Sequence, residues 1–137
     1  MARKPEITLT LYSPVHGIGV GNVLTQAYDG PAQAQLVQAM RSAGDMTVEL
    51  LALSDSSVVG YVGFSRHLSP EGWMGLSPLA VLPAYRKYGI GADLVRYGLD
   101  HARRAGARAV SVVGDGRYYQ RFGFTYRAAE NLQTPYA

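Results

Sequence analysis

The sequence contains no cysteine, a single tryptophan and only 17% charged residues. Without cysteine the chain has no disulfide, no cysteine-ligated zinc and no cysteine nucleophile, and its three dispersed histidines do not predict a metal site. No run of about 18 to 20 apolar residues could span a bilayer, and no apolar signal segment follows Arg3 and Lys4. We therefore expect a cytoplasmic protein without a membrane partner.

Charge of either sign is also sparse, with 13 basic and 10 acidic residues and a net charge of +3. No cluster of lysine and arginine long enough to bind a phosphate backbone is present, so a nucleic-acid partner would rest on the pI near 9.3 alone. A mild basic excess suits an anionic small molecule at least as well. Nucleic acid is not an expected partner.

What is present is an ordinary globular composition, 47% hydrophobic over 137 residues, without a repeat or a long linker. Residues 1–137 are therefore predicted to form a single domain. An opening strand at Ile7 to Tyr12 precedes two helical segments, Gly17 to Tyr28 and Ala32 to Ala43. Two β-rich runs with a short polar turn between them, Val48 to Leu53 and Val58 to Phe64, predict an antiparallel hairpin.

The second half has the pattern of a strand–helix–strand unit. Trp73 to Leu82 reads as a strand that Pro78 must distort, because proline interrupts the hydrogen-bond ladder. Gly89 to Ala105 is the clearest amphipathic helix, and Ala109 to Val113 is a short buried strand. The spacing predicts that this last strand runs parallel to Trp73 to Leu82 through a right-handed crossover.

The loop between that strand and the helix has the pattern RxxGxG. Glycines at Gly89 and Gly91 permit close backbone approach, and the free N–H groups of a helix start favour an anion, with Arg86 and Lys87 adding positive charge. A diphosphate fits this description, whereas a tight turn with a close helix–sheet contact is the structural alternative. The loop is neither a Walker motif, since no GK[ST] follows, nor GxGxxG, since Leu94 replaces the third glycine.

A second glycine-rich stretch, Gly17 to Gly21, looks similar by composition. No good strand leads directly into it, so we interpret it as a flexible helix entry rather than an anion site.

An aromatic segment from Gly114 to Phe124 leaves the parallel strand, forms a short helix and enters another strand. The sequence carries LAVxPxYRxxGIG, ARRAGARAV and GDxxYYxRFGF in that order, and at this spacing it resembles the GNAT superfamily, the Gcn5-related N-acetyltransferases, and within it the bacterial YhbS-like group. The resemblance is strong from Val58 to Phe124 and weaker from Ile7 to Leu53.

The resemblance implies an α/β fold, a three-layer α-β-α arrangement whose central sheet is mostly antiparallel with one splayed parallel pair. It also implies an acetyl-CoA-dependent N-acetyltransferase that moves an acyl group from the CoA thioester to a primary amine of a small molecule or a protein by direct attack. A catalytically degenerate acyl-CoA-binding sensor or regulatory module is the alternative.

Carried over position by position, the resemblance implies a set of residues that bind acetyl-CoA or another acyl-CoA. They are Leu79, Ala80, Val81, Arg86, Lys87, Tyr88, Gly89, Ile90, Gly91, Ala92 and Phe122. The strand residues would pair with the pantetheine arm through their backbone, and the loop would hold the pyrophosphate. The Val81 N–H would polarise the thioester oxygen.

Tyr119 is the catalytic residue that the resemblance implies, as the acid that protonates the departing thiolate. A phenol with a pKa of about 10 is protonated at neutral pH and can donate. Alternatively, Tyr118, Tyr119, Phe122 and Phe124 are aromatic core at helical spacing. Asp115 either caps the short helix or touches the cofactor.

The general base stays open, with Glu49, His67, Glu71 and a chain of waters as alternatives. Only 13 residues follow Phe124, fewer than a further strand of the family pattern needs. The C-terminal strand is therefore expected to be missing, which leaves an open edge, a shortened chain or a strand supplied by another subunit. A homodimer is the hypothesis that follows.

Overall fold

The computed structural model describes residues 5–68, 71–113 and 116–124. The strands are β1 Thr8–Leu11, β2 Met46–Ser54, β3 Ser57–Arg66, β4 Trp73–Val81 and β5 Ala109–Val112. The helices are α1 Gly17–Ala27, α2 Ala32–Ser42, α3 Ile90–Arg104 and α4 Gly116–Gln120, with 3-10 turns at Pro14–His16 and Pro83–Tyr85. The element order agrees with the sequence-based expectation, and the expected helix and strand boundaries lie within two residues of the observed ones.

The five strands form one sheet in the order β1-β2-β3-β4-β5. Every neighbouring pair is antiparallel except β4 and β5, which are parallel. The predicted hairpin and the predicted parallel crossover are both confirmed. The expectation of a missing last strand concerns residues 125–137, which lie outside the described residues.

Helices cover both faces of this sheet, which gives the predicted α-β-α layers. On one face, α1 and α2 pack Val20, Val23, Leu24 and Val37 against Leu51, Val58, Tyr61 and Ala80. On the other, α3 packs Ile90, Leu94, Val95 and Ala102 against Val62, Phe64, Met74 and Leu76. The expected apolar stripe of α3 is thus the buried one, because a period of 3.6 residues brings these side chains to one side.

Strand β4 is irregular at Pro78, as its sequence predicts. Val62 pairs with Leu79 but Phe64 pairs with Leu76, so Ser77 and Pro78 together stand opposite Gly63 alone. Such a bulge bends the strand and increases its local twist. It lies where β4 begins to leave its other neighbour, β5.

Candidate active site

A gap opens between β4 and β5. The two strands pair only from Trp73 to Leu76, opposite Ala109 to Val112, although β4 continues to Val81. Among the residues that the structure describes, Ser77 to Val81 therefore have no β5 partner. This stretch presents one open backbone edge, directly after the bulge at Pro78.

The hydrogen-bond alternation of the β3–β4 pair decides which backbone groups face the gap. Leu82 N–H donates to Val59 O at 2.9 Å, and Ala80 is the partner of Tyr61 in the register. In an antiparallel pair, alternate residues point their N–H and C=O groups toward the partner strand. Ala80 therefore turns these groups toward β3, and the residues on either side of it turn theirs toward the gap.

Two side-chain hydrogen bonds agree with that orientation. The hydroxyl of Tyr28 donates to Leu79 O at 3.2 Å, and Nε of Arg86 donates to Val81 O at 3.2 Å. Both carbonyls belong to residues whose backbone faces the gap. Their N–H groups point the same way, which makes this edge a place for an extended, amide-bearing ligand.

The open edge runs into the loop that starts α3. Lys87 and Gly89 both have positive φ, 77° and 75°, and Gly89 is the N-cap residue of the helix. The first intrahelical bond is donated by Asp93 to Gly89 O, so the N–H groups before it have no intrahelical acceptor. These free N–H groups and the two basic side chains of the loop favour an anion.

A cleft of about 550 Å³ joins the gap and the loop. Its walls contain Ala27, Tyr28, Leu79, Ala80, Val81, Tyr85, Arg86, Lys87, Gly89, Ile90, Gly91, Ala92, Tyr118 and Arg121. Most of the predicted cofactor-binding residues thus surround one cavity. Tyr88, Tyr119 and Phe122 do not line it; they pack against the core on the α3 side.

The short helix α4 closes one side of the cleft with Tyr118. The Tyr118 hydroxyl lies 3.2 Å from the position that a Cβ on Gly91 would occupy. The guanidinium of Arg121 stands over the Tyr118 ring, 4.8 Å from its centroid, and 5.3 Å from that of Phe122. This stacked cation adds positive charge to the wall that already contains Arg86 and Lys87.

Tyr119 lies behind Tyr118, with ring centroids 5.0 Å apart at an interplanar angle of 89°. It also contacts Phe124 edge to face at 5.8 Å. Burial raises the pKa of the Tyr119 phenol, and the neighbouring phenols of Tyr118 and Tyr28 raise it further. The hydroxyl therefore stays protonated at neutral pH, as a proton donor requires.

Sequence reasoning missed Tyr28, Ala27, Tyr85 and Arg121 as cleft residues and treated Tyr118 as mostly core. Tyr28 carries no motif, because it is simply the residue after α1, 51 positions before the carbonyl that it contacts. Arg121 stands inside GDxxYYxRFGF, so the motif itself marked the position.

Among the proposed general bases, Glu49 is held by two side chains. Arg41 Nη2 donates to its Oε1 at 2.6 Å, Arg41 Nε contacts both carboxylate oxygens at 3.1 Å, and the Tyr61 hydroxyl donates at 2.8 Å. Burial and the adjacent Glu49 carboxylate raise the pKa of Tyr61 far above its ordinary value. The buried His67 lies 2.7 Å from Ser111 Oγ through Nε2, and Glu71 is exposed.

Within residues 5–68, 71–113 and 116–124, no group of three or more His, Cys, Asp or Glu could hold a metal ion. No helix in this described part of the chain is long and apolar enough to cross a membrane.

The model of the acetyltransferase (GNAT) family matches residues 19–124, most of the chain and the whole of the cleft. The chain belongs to the GNAT family. It is accordingly an acyltransferase, and the resemblance drawn from its motifs is confirmed.

Two Escherichia coli K12 proteins of this family illustrate the sequence similarity. The uncharacterized N-acetyltransferase YhbS is 37% identical over 125 residues, which cover 88% of this chain and 74% of YhbS. The uncharacterized N-acetyltransferase YjhQ is 34% identical over 113 residues, 77% of this chain and 62% of YjhQ.

Two solved GNAT structures have the same fold. A GNAT family acetyltransferase from Brucella melitensis in complex with acetyl-CoA matches with a TM-score of 0.84 and 34% identity, over 93% of this chain and 86% of that one. Escherichia coli YhbS in complex with CoA also has a TM-score of 0.84 and 34% identity, over 91% of this chain and 72% of that one.

Proposed function

We propose that this chain is an acetyl-CoA-dependent N-acetyltransferase that moves the acyl group of the thioester to a primary amine by direct attack. One observation carries the proposal: the open edge of β4 leads through a single 3-10 turn, Pro83–Tyr85, into the basic loop at the start of α3, and one cleft joins the two. An extended arm with amide groups, followed by a diphosphate, matches that sequence of features. The related GNAT proteins in complex with acetyl-CoA and CoA support the same ligand class.

Each part of the cleft takes one part of acyl-CoA. The gap-facing N–H and C=O groups of Leu79 and the C=O group of Val81 would pair with the pantetheine arm, while the Ala80 backbone stays with β3. Residues Arg86 to Ala92 would hold the pyrophosphate through the N–H groups at the start of α3 and the side chains of Arg86 and Lys87. Tyr88 and Phe122 would support this site from the core beside it.

The reaction needs a polarised carbonyl and an acid for the sulfur. In the proposal, the amine nitrogen forms a bond to the thioester carbon while the Val81 N–H, which faces the gap, stabilises the oxygen. The carbon–sulfur bond then breaks, and the thiolate takes a proton from Tyr119 by way of a water, because Tyr119 stands behind the cleft wall. The amine nitrogen loses its proton to water, which returns a proton to the Tyr119 phenolate. Tyr119 is suited to this step because its pKa is raised by burial, so it is neutral at physiological pH.

A catalytically degenerate acyl-CoA-binding module is the second candidate. It is favoured by the environment of Glu49, whose carboxylate is bound by Arg41 and Tyr61 rather than presented to the cleft. This module would bind acyl-CoA and release no thiol in the presence of any amine.

The first experiment is calorimetric titration with acetyl-CoA and CoA, followed by a thiol-release assay with acetyl-CoA across a panel of small amines and lysine peptides. Micromolar binding with amine-dependent thiol release supports the enzyme. Binding without release on every acceptor favours the module, and no binding of either ligand refutes both.

Replacing Tyr119 by phenylalanine tests the acid. Because general-acid assistance contributes about 100-fold or more to a rate, Tyr119→Phe should lower kcat by roughly that factor and leave CoA affinity within about twofold. The matched control is Tyr97→Phe, a tyrosine on the exposed side of α3 that should keep full activity.

The pH profile gives the second readout for Tyr119. The acid works only when protonated, and burial raises its pKa above the ordinary 10.0, so this group should cause no loss of kcat between about pH 7 and pH 9. Its activity is lost as the pH rises through the raised pKa. A Tyr119→Phe enzyme with unchanged kcat would remove the residue from the mechanism.

A further inference from the structure

The two gap-facing carbonyls of β4 are both occupied by side chains of the protein itself. Leu79 O accepts from the Tyr28 hydroxyl and Val81 O accepts from Arg86 Nε, each at 3.2 Å. An extended ligand that adds to this edge needs the same carbonyls as acceptors for its own amides. The side chains and the ligand therefore compete for identical hydrogen-bond positions.

An unpaired strand edge explains why such donors are useful in the empty protein. Exposed N–H and C=O groups on an edge invite pairing with another chain, and proteins protect these edges by covering them. Here the covering groups come from two separate segments, the end of α1 and the loop before α3. Neither donor is part of the sheet, so either can leave without breaking a β-ladder.

Tyr28 is placed so that its ring can move away. It is the C-cap residue of α1 and its backbone N–H is held by Leu24 O at 3.0 Å, which fixes the main chain independently of the phenol. The residue is 43% exposed, and the following Asp29 has a positive φ of 51°, where the chain turns toward α2. Rotation of the ring toward solvent leaves the buried core of α1 intact.

We propose that Tyr28 occupies the pantetheine site as a place-holder, with its hydroxyl standing where an amide N–H of the arm bonds to Leu79 O. This inference rests on the proposed function. Binding of acyl-CoA exchanges the phenol for the ligand amide. The hydrogen bond between Tyr28 and Leu79 O must break for this, which makes the net free energy of binding less favourable. The residue thereby sets the affinity for the arm without contacting the nucleotide.

The proposal predicts a gain in affinity on removing one oxygen atom. In Tyr28→Phe the carbonyl is no longer engaged by the phenol, so CoA should bind about 3- to 10-fold more tightly, the range that corresponds to one ordinary hydrogen bond. Adenosine 3′,5′-bisphosphate, which resembles the nucleotide end of CoA and lacks the arm, should bind the variant and the wild type equally.

Calorimetry with CoA and with the bisphosphate, on wild type, Tyr28→Phe and the control Tyr97→Phe, measures all these affinities. Thermal unfolding of each variant in the absence of ligand checks that the fold is intact. The expected result is a gain confined to CoA and to Tyr28→Phe.

Three results on Tyr28→Phe would overturn the inference. Unchanged CoA affinity would mean that Leu79 O accepts from the phenol and the ligand together, as a carbonyl with two lone pairs can. Weaker CoA binding would make Tyr28 a direct ligand contact, and an equal gain for the bisphosphate would locate the effect away from the arm. If the wild type binds no CoA at all, the proposed function fails first and this inference with it.

Discussion

The two glycine-rich helix starts, Gly17 to Gly21 and Gly89 to Gly91, are alike in composition and different in use. Both follow a strand through a 3-10 turn, β1 through Pro14–His16 and β4 through Pro83–Tyr85, but Gly17 has ordinary helical angles, φ −55° and ψ −46°. At the second helix start, Gly89 has a φ of 75°. Only the second opens onto the cleft.

The neighbours of each glycine explain this difference. A Cβ on Gly19 would lie 2.7 Å from Val58 Cγ2, so that glycine lets α1 approach the sheet. A Cβ on Gly91 would meet the hydroxyl of Tyr118 at 3.2 Å, in the wall of the cleft. Glycine at a helix start therefore indicates close approach, and its surroundings decide whether a strand or a ligand approaches.

The largest expected effect is at Gly91. Gly91→Leu fills the place where the diphosphate would approach the start of α3, so CoA affinity should fall by at least about 100-fold, or about 2.7 kcal/mol. The matched control is Gly21→Leu, because no atom lies within 4 Å of a Cβ at Gly21, and its CoA affinity should equal that of the wild type. Calorimetry measures the CoA affinity of the two folded variants. Retained binding in Gly91→Leu would mean that the loop is a tight turn and does not bind the diphosphate.

In contrast to Gly91→Leu, Gly19→Ala should lower the stability of the fold and leave the CoA affinity unchanged. The added methyl group collides with the short, β-branched Val58, and overpacking of this kind costs about 1 to 3 kcal/mol of the free energy of unfolding. Urea unfolding measures the loss. Adding Val58→Ala should make the two changes less than additive, since the smaller side chain accommodates the methyl group; strict additivity would contradict the contact.

The smallest expected effects are changes in the free energy of unfolding that have opposite signs at the two helix starts. Gly89→Ala puts a Cβ on a residue with positive φ and should lower the free energy of unfolding by about 1 kcal/mol. Gly21→Ala, in the helical interior of α1, should raise it by roughly 0.5 to 1 kcal/mol. Urea unfolding of both variants measures these free energies. Changes of the same sign would contradict the claim that the backbone conformation of Gly89 requires glycine and that of Gly21 does not.

Much of the fold was predictable because its signals are local. Each signal lies within a few dozen residues: the amphipathic period of α3, the short turn between β2 and β3, and the strand–helix–strand spacing. Pro78 predicted the irregularity of β4. The loop from Arg86 to Ala92 was recognisable for the same reason, since its glycines and basic residues are contiguous.

The rest of the cleft was not predictable, because its members meet only through folding. Tyr28 reaches β4 across 51 residues, and nothing near it in the chain marks the contact. The place of Tyr118 in the wall was likewise not predictable. Tyr118 and Tyr119 are neighbouring tyrosines on one turn of helix, and only tertiary packing put Tyr118 in the wall and Tyr119 behind it.

The sequence by itself determined the family, the order of the elements and the position of the glycine-rich basic loop, because periodicity, turn chemistry and contiguous motifs are written in neighbouring residues. Only the tertiary structure decided where β4 leaves β5, which of its carbonyls face the gap and which side chains hold them. Those depend on register and on the bulge opposite Gly63, and register follows from how the whole sheet packs against α1 and α3.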